Sequence, residues 1–302
     1  MSGTTPAANF RAGAGGEFAA SREAARLLRP AYDTSGGIDG LISFESTPDL
    51  ADDAEATIAQ ASDLWHRLAE PNVMIKVPGT KAGLPAIEQL TRAGVNVNIT
   101  LLFSVKRYEE VIDAYQRGLT ARADAGERLN QITSVASYFL SRIDTKVDAR
   151  LHEGSPLRGR VALASARVAY QRYIEKFRRP GWDRLRQLGA KPQRPLWAST
   201  GTKNPEFSDV LYVSQLIGPD VVNTMPEQTL RAFADHGEVK PTLVADPAAA
   251  ESTLAEAATA GIDLNSVTDE LEREGIESFC DSYRQLLKCV ESKRDALAGP
   301  ES

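Results

Sequence analysis

The stretch "VMIKVPGT", residues 73–80, sets Lys76 inside an otherwise apolar run closed by Pro78 and Gly79. Such a run before a Pro-Gly pair reads as a buried strand. A lysine there is costly unless something pairs or uses its charge. Burial favours the neutral amine, and a neutral amine attacks carbonyl carbon. Glu45 closes a second short run, "LISFES" at 41–46. A carboxylate beside such an amine holds a water and moves protons as a carbinolamine becomes an imine.

Alternation decides whether these groups meet. In "VNVNIT", Val95, Val97 and Ile99 share one face and Asn96, Asn98 and Thr100 the other. Three polar residues along one buried face suggest a polar site inside a barrel. A satisfied interior network or an exposed edge strand would give the same pattern. The same arithmetic groups Met74 with Lys76, Ser43 with Glu45, and Thr133 with Val135, Ser137 and Phe139. Alone, Lys76 would more simply reach out to solvent. With Glu45, Asn98, Thr100 and Ser137 near the carboxyl ends of neighbouring strands, a functional site is the better reading.

Two features suit a phosphorylated substrate. Arg142 in "SYFLSRID" follows a strand end, where a guanidinium can grip phosphate with two hydrogen bonds. It could equally pair with Asp144 or Glu153. The loop "WASTGTKNP", 197–205, offers Ser199 and Lys203, and loops after the late strands of a barrel often hold phosphate.

Short apolar runs alternate with amphipathic helical stretches along most of the chain. Strand-like segments fall at 41–46, 72–77, 95–103, 131–139, 194–200 and 221–225. Helices are expected from Glu17 to about Pro30, across 50–70, across 83–94 with Gly94 at the end, and from Ser104 as a cap. One long helical region is expected from Ser141 to Phe177, and the chain after 225 reads as helical. Residues 1–16 read as a flexible arm and 17–302 as a single domain. Six strand-then-helix units predict a parallel sheet covered by helices. The first strand is followed by no glycine-rich phosphate loop, so the polar strand faces favour a (β/α)8 TIM-type barrel over an open nucleotide-binding sheet.

The net charge of −6 argues against nucleic acid or an anionic membrane as the main partner. The sequence shows neither a bilayer-spanning run nor a leader pattern, so the expected location is the cytoplasm. His66, His152 and His236 are scattered, and Cys280 and Cys289 point to opposite sides of one helix. Neither a metal nor a cofactor is expected, which leaves cofactor-free Schiff-base chemistry.

The stretches "DGLISFESTPDLADD", "NVMIKVPGTKAGLPAIEQL", "GVNVNITLLFSVKRYEEVIDAY", "SVASYFLSRIDTKVD" and "PLWASTGTKNPEFSDVLYVSQLIGPDVVNTMP" occur in transaldolase order and spacing. Over roughly 22–295 the chain resembles the longer bacterial, actinobacterial-type transaldolases. The resemblance implies transfer of a dihydroxyacetone unit between sugar phosphates in the pentose phosphate pathway. The donors are sedoheptulose 7-phosphate and fructose 6-phosphate; the acceptors are erythrose 4-phosphate and glyceraldehyde 3-phosphate. It matches Lys76 to the Schiff-base lysine and Glu45 to the glutamate that positions water. Asn98 and Thr100 match the fifth-strand pair, and Ser137, Phe139 and Arg142 match the sixth-strand substrate contacts. Ser199 to Lys203 match the seventh-strand loop.

The family's first two strands, with their aspartate and asparagine, have no counterpart here, and Asp33 cannot take the aspartate's role. Six of eight βα units are expected, with open barrel edges that invite self-association. The alternative expectation is a shortened, catalytically impaired relative that binds sugar phosphate or a protein partner.

Overall fold

Each strand pairs in parallel with the next, so chain order and sheet order coincide. A computed structural model describes residues 6–244 and 247–298. The strands are β1 (Ile42–Glu45), β2 (Val73–Pro78), β3 (Val97–Leu102), β4 (Ser134–Phe139), β5 (Arg194–Ala198) and β6 (Val222–Asn223). The sheet curls as half of a barrel, and residues from all six strands line one concave cavity. Among the described residues β1 and β6 are its edges.

The helices between strands follow local rules. Helix α2 (Ala54–Leu68) starts where the Ala56 N–H donates to Asp53 Oδ1 at 3.0 Å. Helix α3 (Leu84–Ala93) ends at Gly94, whose φ of 88° is the left-handed conformation that glycine adopts freely. Helix α4 (Val105–Asp124) is capped by Ser104, whose Oγ accepts from the Arg107 N–H at 3.1 Å. Their apolar faces, with Leu64, Ile87, Leu90, Val111 and Ile112, bury against the outward strand residues Val73, Ile75, Val97 and Ile99. Tyr108, Tyr138 and Trp197 continue this outer core as edge-to-face ring pairs.

Two stretches depart from the expected elements. The region from Ser141 to Phe177 is two helices, α5 (Ser141–Asp148) and α6 (Val161–Lys176). Gly154 and Gly159 take left-handed φ between them, and the Gly159 N–H donates to the Asp148 carboxylate, which turns the chain. Helix α7 (Pro180–Gln187) follows, then α8 (Leu211–Ser214), α9 (Glu227–His236), α10 (Pro247–Thr259) and α11 (Leu264–Ala298).

At the other end, α1 runs Pro6–Thr34. It covers residues 6–16, read above as an arm, and continues through Pro30; residues 1–5 lie outside the described residues. Proline removes one helical hydrogen bond, but tertiary packing outweighs that local cost. Phe18 stacks on Phe44 of β1 with ring centroids 5.0 Å apart, and Ala25 is fully buried.

After α1 the chain crosses beneath the amino ends of the strands. Asn72 Nδ2 donates to Ala25 O at 2.7 Å and to Gly40 O at 2.9 Å. Lys191 Nζ donates to Gly36 O at 2.9 Å, and Arg194 donates to Ile38 O at 2.5 Å. This segment is the floor of the concave cavity. Asn72 is fully buried, so Asn72→Ala leaves the Gly40 carbonyl without its donor and the Ala25 carbonyl with its helical partner alone. We expect urea denaturation to show a loss of roughly 1–3 kcal/mol, the cost of one unpaired buried acceptor.

Candidate active site

The inward faces of the strands carry polar residues because the curl gives them one another as partners. Parallel register sets Glu45 beside Lys76 and Lys76 beside Asn98. Lys76 Nζ donates to Glu45 Oε1 in a short ion pair. Asn98 Nδ2 donates to Ser43 Oγ at 2.9 Å, and Ser137 Oγ donates to Asn98 Oδ1 at 2.7 Å. The three side chains bridge β1, β3 and β4 and fix the Asn98 amide. Lys76, Asn98, Ser137, Phe139 and Ser43 all line a cavity of about 370 Å³.

Thr100 lies one strand-repeat beyond Asn98 and is 8% exposed, and its Oγ1 has no hydrogen-bond partner. It faces a niche of about 30 Å³ together with Glu45, Lys76 and Ile276. That is room enough for water. Just past Thr100 the β3–β4 register shifts and Leu101 adopts φ 62°. A bulge of this kind re-aims the strand end and stores backbone strain beside the niche.

Arg142 opens α5 with its guanidinium carbon 5.6 Å from the Phe139 ring centroid. It lines a larger cavity of about 580 Å³ that also contains Glu45. Asp144 does not pair with it: that carboxylate accepts from the Ala162 N–H and the Tyr212 hydroxyl, both at 2.8 Å. The Arg142 charge therefore faces the open groove. Ser199, at φ 54°, shares a 2.8 Å hydrogen bond with Ser141 Oγ, and its carbonyl accepts from the Ser141 N–H. The loop after β5 is thereby tied to the residue preceding Arg142.

The family model for transaldolase/fructose-6-phosphate aldolase matches residues 18–290. The chain belongs to this family. It is 48% identical over 283 residues to a transaldolase of Parafrankia sp., covering 92% of this chain and 77% of that one. It is 50% identical to a transaldolase of Acidothermus cellulolyticus, covering 89% and 74%. It is 48% identical to a transaldolase of Mycolicibacterium smegmatis, covering 91% and 76%.

In this transaldolase-family chain, Glu45, Lys76, Asn98, Thr100, Ser137, Phe139 and Arg142 gather around adjoining hollows that share lining residues. Ser199 joins them through Ser141. Lys203 does not: it lines a separate hollow with Asp144, Asp148 and Arg158. Three contributors escaped the sequence reading of the site. Ser43 carried a signal, because it shares the Glu45 face. Ser141 and Phe279 did not, since their roles depend on how α5 and α11 pack over the strand ends.

Asp144 holds α5 to α6 and α8, and thus steadies the helix that carries Arg142. Burial raises its pKa from 3.8 to about 7, opposed by the Ala162 N–H and the Tyr212 hydroxyl. The folded chain keeps this proton to higher pH than the unfolded chain does. Its contribution to stability is therefore full below about pH 4 and is lost as pH rises toward 7. Asp144→Asn mimics the neutral acid and removes this dependence. Urea midpoints measured across that range are expected to fall with pH by less in the variant than in the parent chain.

Proposed function

We propose that the chain is a transaldolase in which Lys76 forms a Schiff base with the ketose carbonyl of a sugar phosphate. One observation carries the reading: the Lys76–Glu45 ion pair sits on the concave face of the sheet, beside the Asn98 network and the Thr100 niche. Glu45 is the carboxylate placed to take a proton from the Lys76 ammonium. The free amine then adds to the ketose carbonyl, and the resulting carbinolamine loses hydroxide as water once Glu45 returns the proton. The product is a cationic iminium on Lys76.

The iminium draws in the electrons of the bond between the third and fourth sugar carbons as the hydroxyl on the fourth carbon gives its proton to a cavity water. Cleavage releases an aldose phosphate and leaves a three-carbon enamine on the lysine. Addition of that enamine to an acceptor aldehyde, then hydrolysis, completes the transfer. Asn98 and Ser137 offer hydrogen bonds to substrate hydroxyls from the cavity wall. Thr100 Oγ1, buried and unpartnered, suits the water that Glu45 activates. Arg142, facing the groove, suits the phosphate, with Ser199 steadying its helix. Sedoheptulose 7-phosphate and fructose 6-phosphate are the proposed donors, with erythrose 4-phosphate and glyceraldehyde 3-phosphate as acceptors.

Incubation with fructose 6-phosphate and borohydride, followed by peptide mass spectrometry, should find a reduced three-carbon adduct on Lys76. A folded sample without that adduct would overturn the assignment. Lys76→Arg should lower turnover by at least about a thousand-fold, as loss of a nucleophile does. Arg142→Ala should raise KM for the phosphorylated donor by about ten-fold or more, with a smaller change in kcat, because a charge-assisted pair to phosphate is lost.

A further inference from the structure

The chemistry above needs water at one step and must exclude it at another. The three-carbon unit on Lys76 waits for an acceptor aldehyde. If the enamine first takes a proton from solvent on its reactive carbon, it becomes the dihydroxyacetone iminium, and water that adds to the iminium carbon passes a proton to Glu45. The carbinolamine then collapses, the C–N bond breaks, the amine returns to Lys76 and free dihydroxyacetone leaves. Transfer therefore depends on how much solvent reaches Lys76.

Helix α11 controls that access. It is pinned over the strand ends by ion pairs from Glu270 and Glu274 to Lys146, at 2.9 and 2.6 Å, and from Glu270 to Arg150. Glu272 adds a contact to Arg107 at 3.6 Å. Gly275 lets the helix backbone press on β3, since a Cβ there would lie 2.9 Å from Leu101 Cδ2. One turn later the half-buried Phe279 ring covers Lys76, with Nζ 5.9 Å from its centroid. The same ring belongs to the walls of both the 580 Å³ groove and the 30 Å³ niche beside Glu45, Lys76 and Thr100.

We propose that Phe279 is a positioning residue that partitions the small niche from the outer groove, and so favours transfer of the lysine-bound unit over its hydrolysis. The inference rests on the imine reading of Lys76. The ring leaves room for water at the side where Glu45 and Thr100 can direct it. Its face also stabilises the iminium cation, as aromatic faces do for cations within about 6 Å. Removing the ring joins the niche to the groove and lets bulk water in.

The test loads the full chain with fructose 6-phosphate, removes free sugar, and quenches with borohydride at intervals. Decay of the trapped Lys76 adduct reports hydrolysis, and transfer to added erythrose 4-phosphate is measured in parallel. Phe279→Ala should raise the ratio of dihydroxyacetone release to transfer by about five-fold or more, the scale expected when a water-excluding closure is opened. Phe279→Leu keeps apolar bulk but loses the ring, and should raise the ratio by less. It also carries the test if the alanine variant does not fold. An unchanged ratio in a folded variant, with the parent chain forming the adduct, overturns the role of Phe279 alone. No adduct in the parent chain overturns the imine reading and this inference with it.

Discussion

Lys76 and Glu45 neutralise each other on adjacent strands, with the lysine partly buried on the concave face and the carboxylate open to the groove. Parallel register makes the pair possible by setting residue 45 beside residue 76. The curl of the sheet then gives the remaining inward polar groups their partners, with Asn98 accepting from Ser137 and donating to Ser43. The outward faces carry the opposite chemistry. Valine, isoleucine, tyrosine and tryptophan there bury against the helices. The apolar outer layer holds the strands in register, and the register holds the charges together.

Both ends of the cavity are closed by segments distant in sequence. The residues after α1 seal the floor through Asn72, Thr133, Lys191 and Arg194, largely by side chains donating to backbone carbonyls. At the mouth, α11 is held by ion pairs to Lys146, Arg150 and Arg107 and by the close approach of its backbone to Leu101 at Gly275. Between the two ends, strain is concentrated where the strands stop. Leu101 and Ser199 both take left-handed conformations next to residues of the site. Packing and hydrogen bonds around them must sustain that cost, which keeps these strand ends in one arrangement.

Much of this was legible in the residues. The alternation of Asn96, Asn98 and Thr100 against Val95, Val97 and Ile99 identified the inward face, because a period of two survives whatever the sheet packs against. Asp53, Gly94 and Ser104 marked helix ends for local reasons, and the helices end there. What failed to read through depended on distant partners. Helix α1 passes Pro30 because Phe18 and Ala25 dock on the sheet, not because of its own propensity. The helical region after Ser141 breaks where Asp148 recruits the Gly159 N–H. Lys203 shares a loop with Ser199, yet the loop turns it into the hollow beside Asp144.

By itself, the sequence determined the parallel strand-and-helix order, the inward face of the first four strands, and the presence of an amine, a carboxylate and amide and hydroxyl groups on those faces. Side-chain period and cap chemistry are local, so a linear reading captures them. Tertiary structure decided the rest. The burial of Thr100 without a partner, the release of Arg142 from Asp144, and the Phe279 ring over Lys76 all arise from elements packed across the strand ends. Those contacts join residues far apart in the chain, and only the curl of the sheet and the path of α11 bring them within reach.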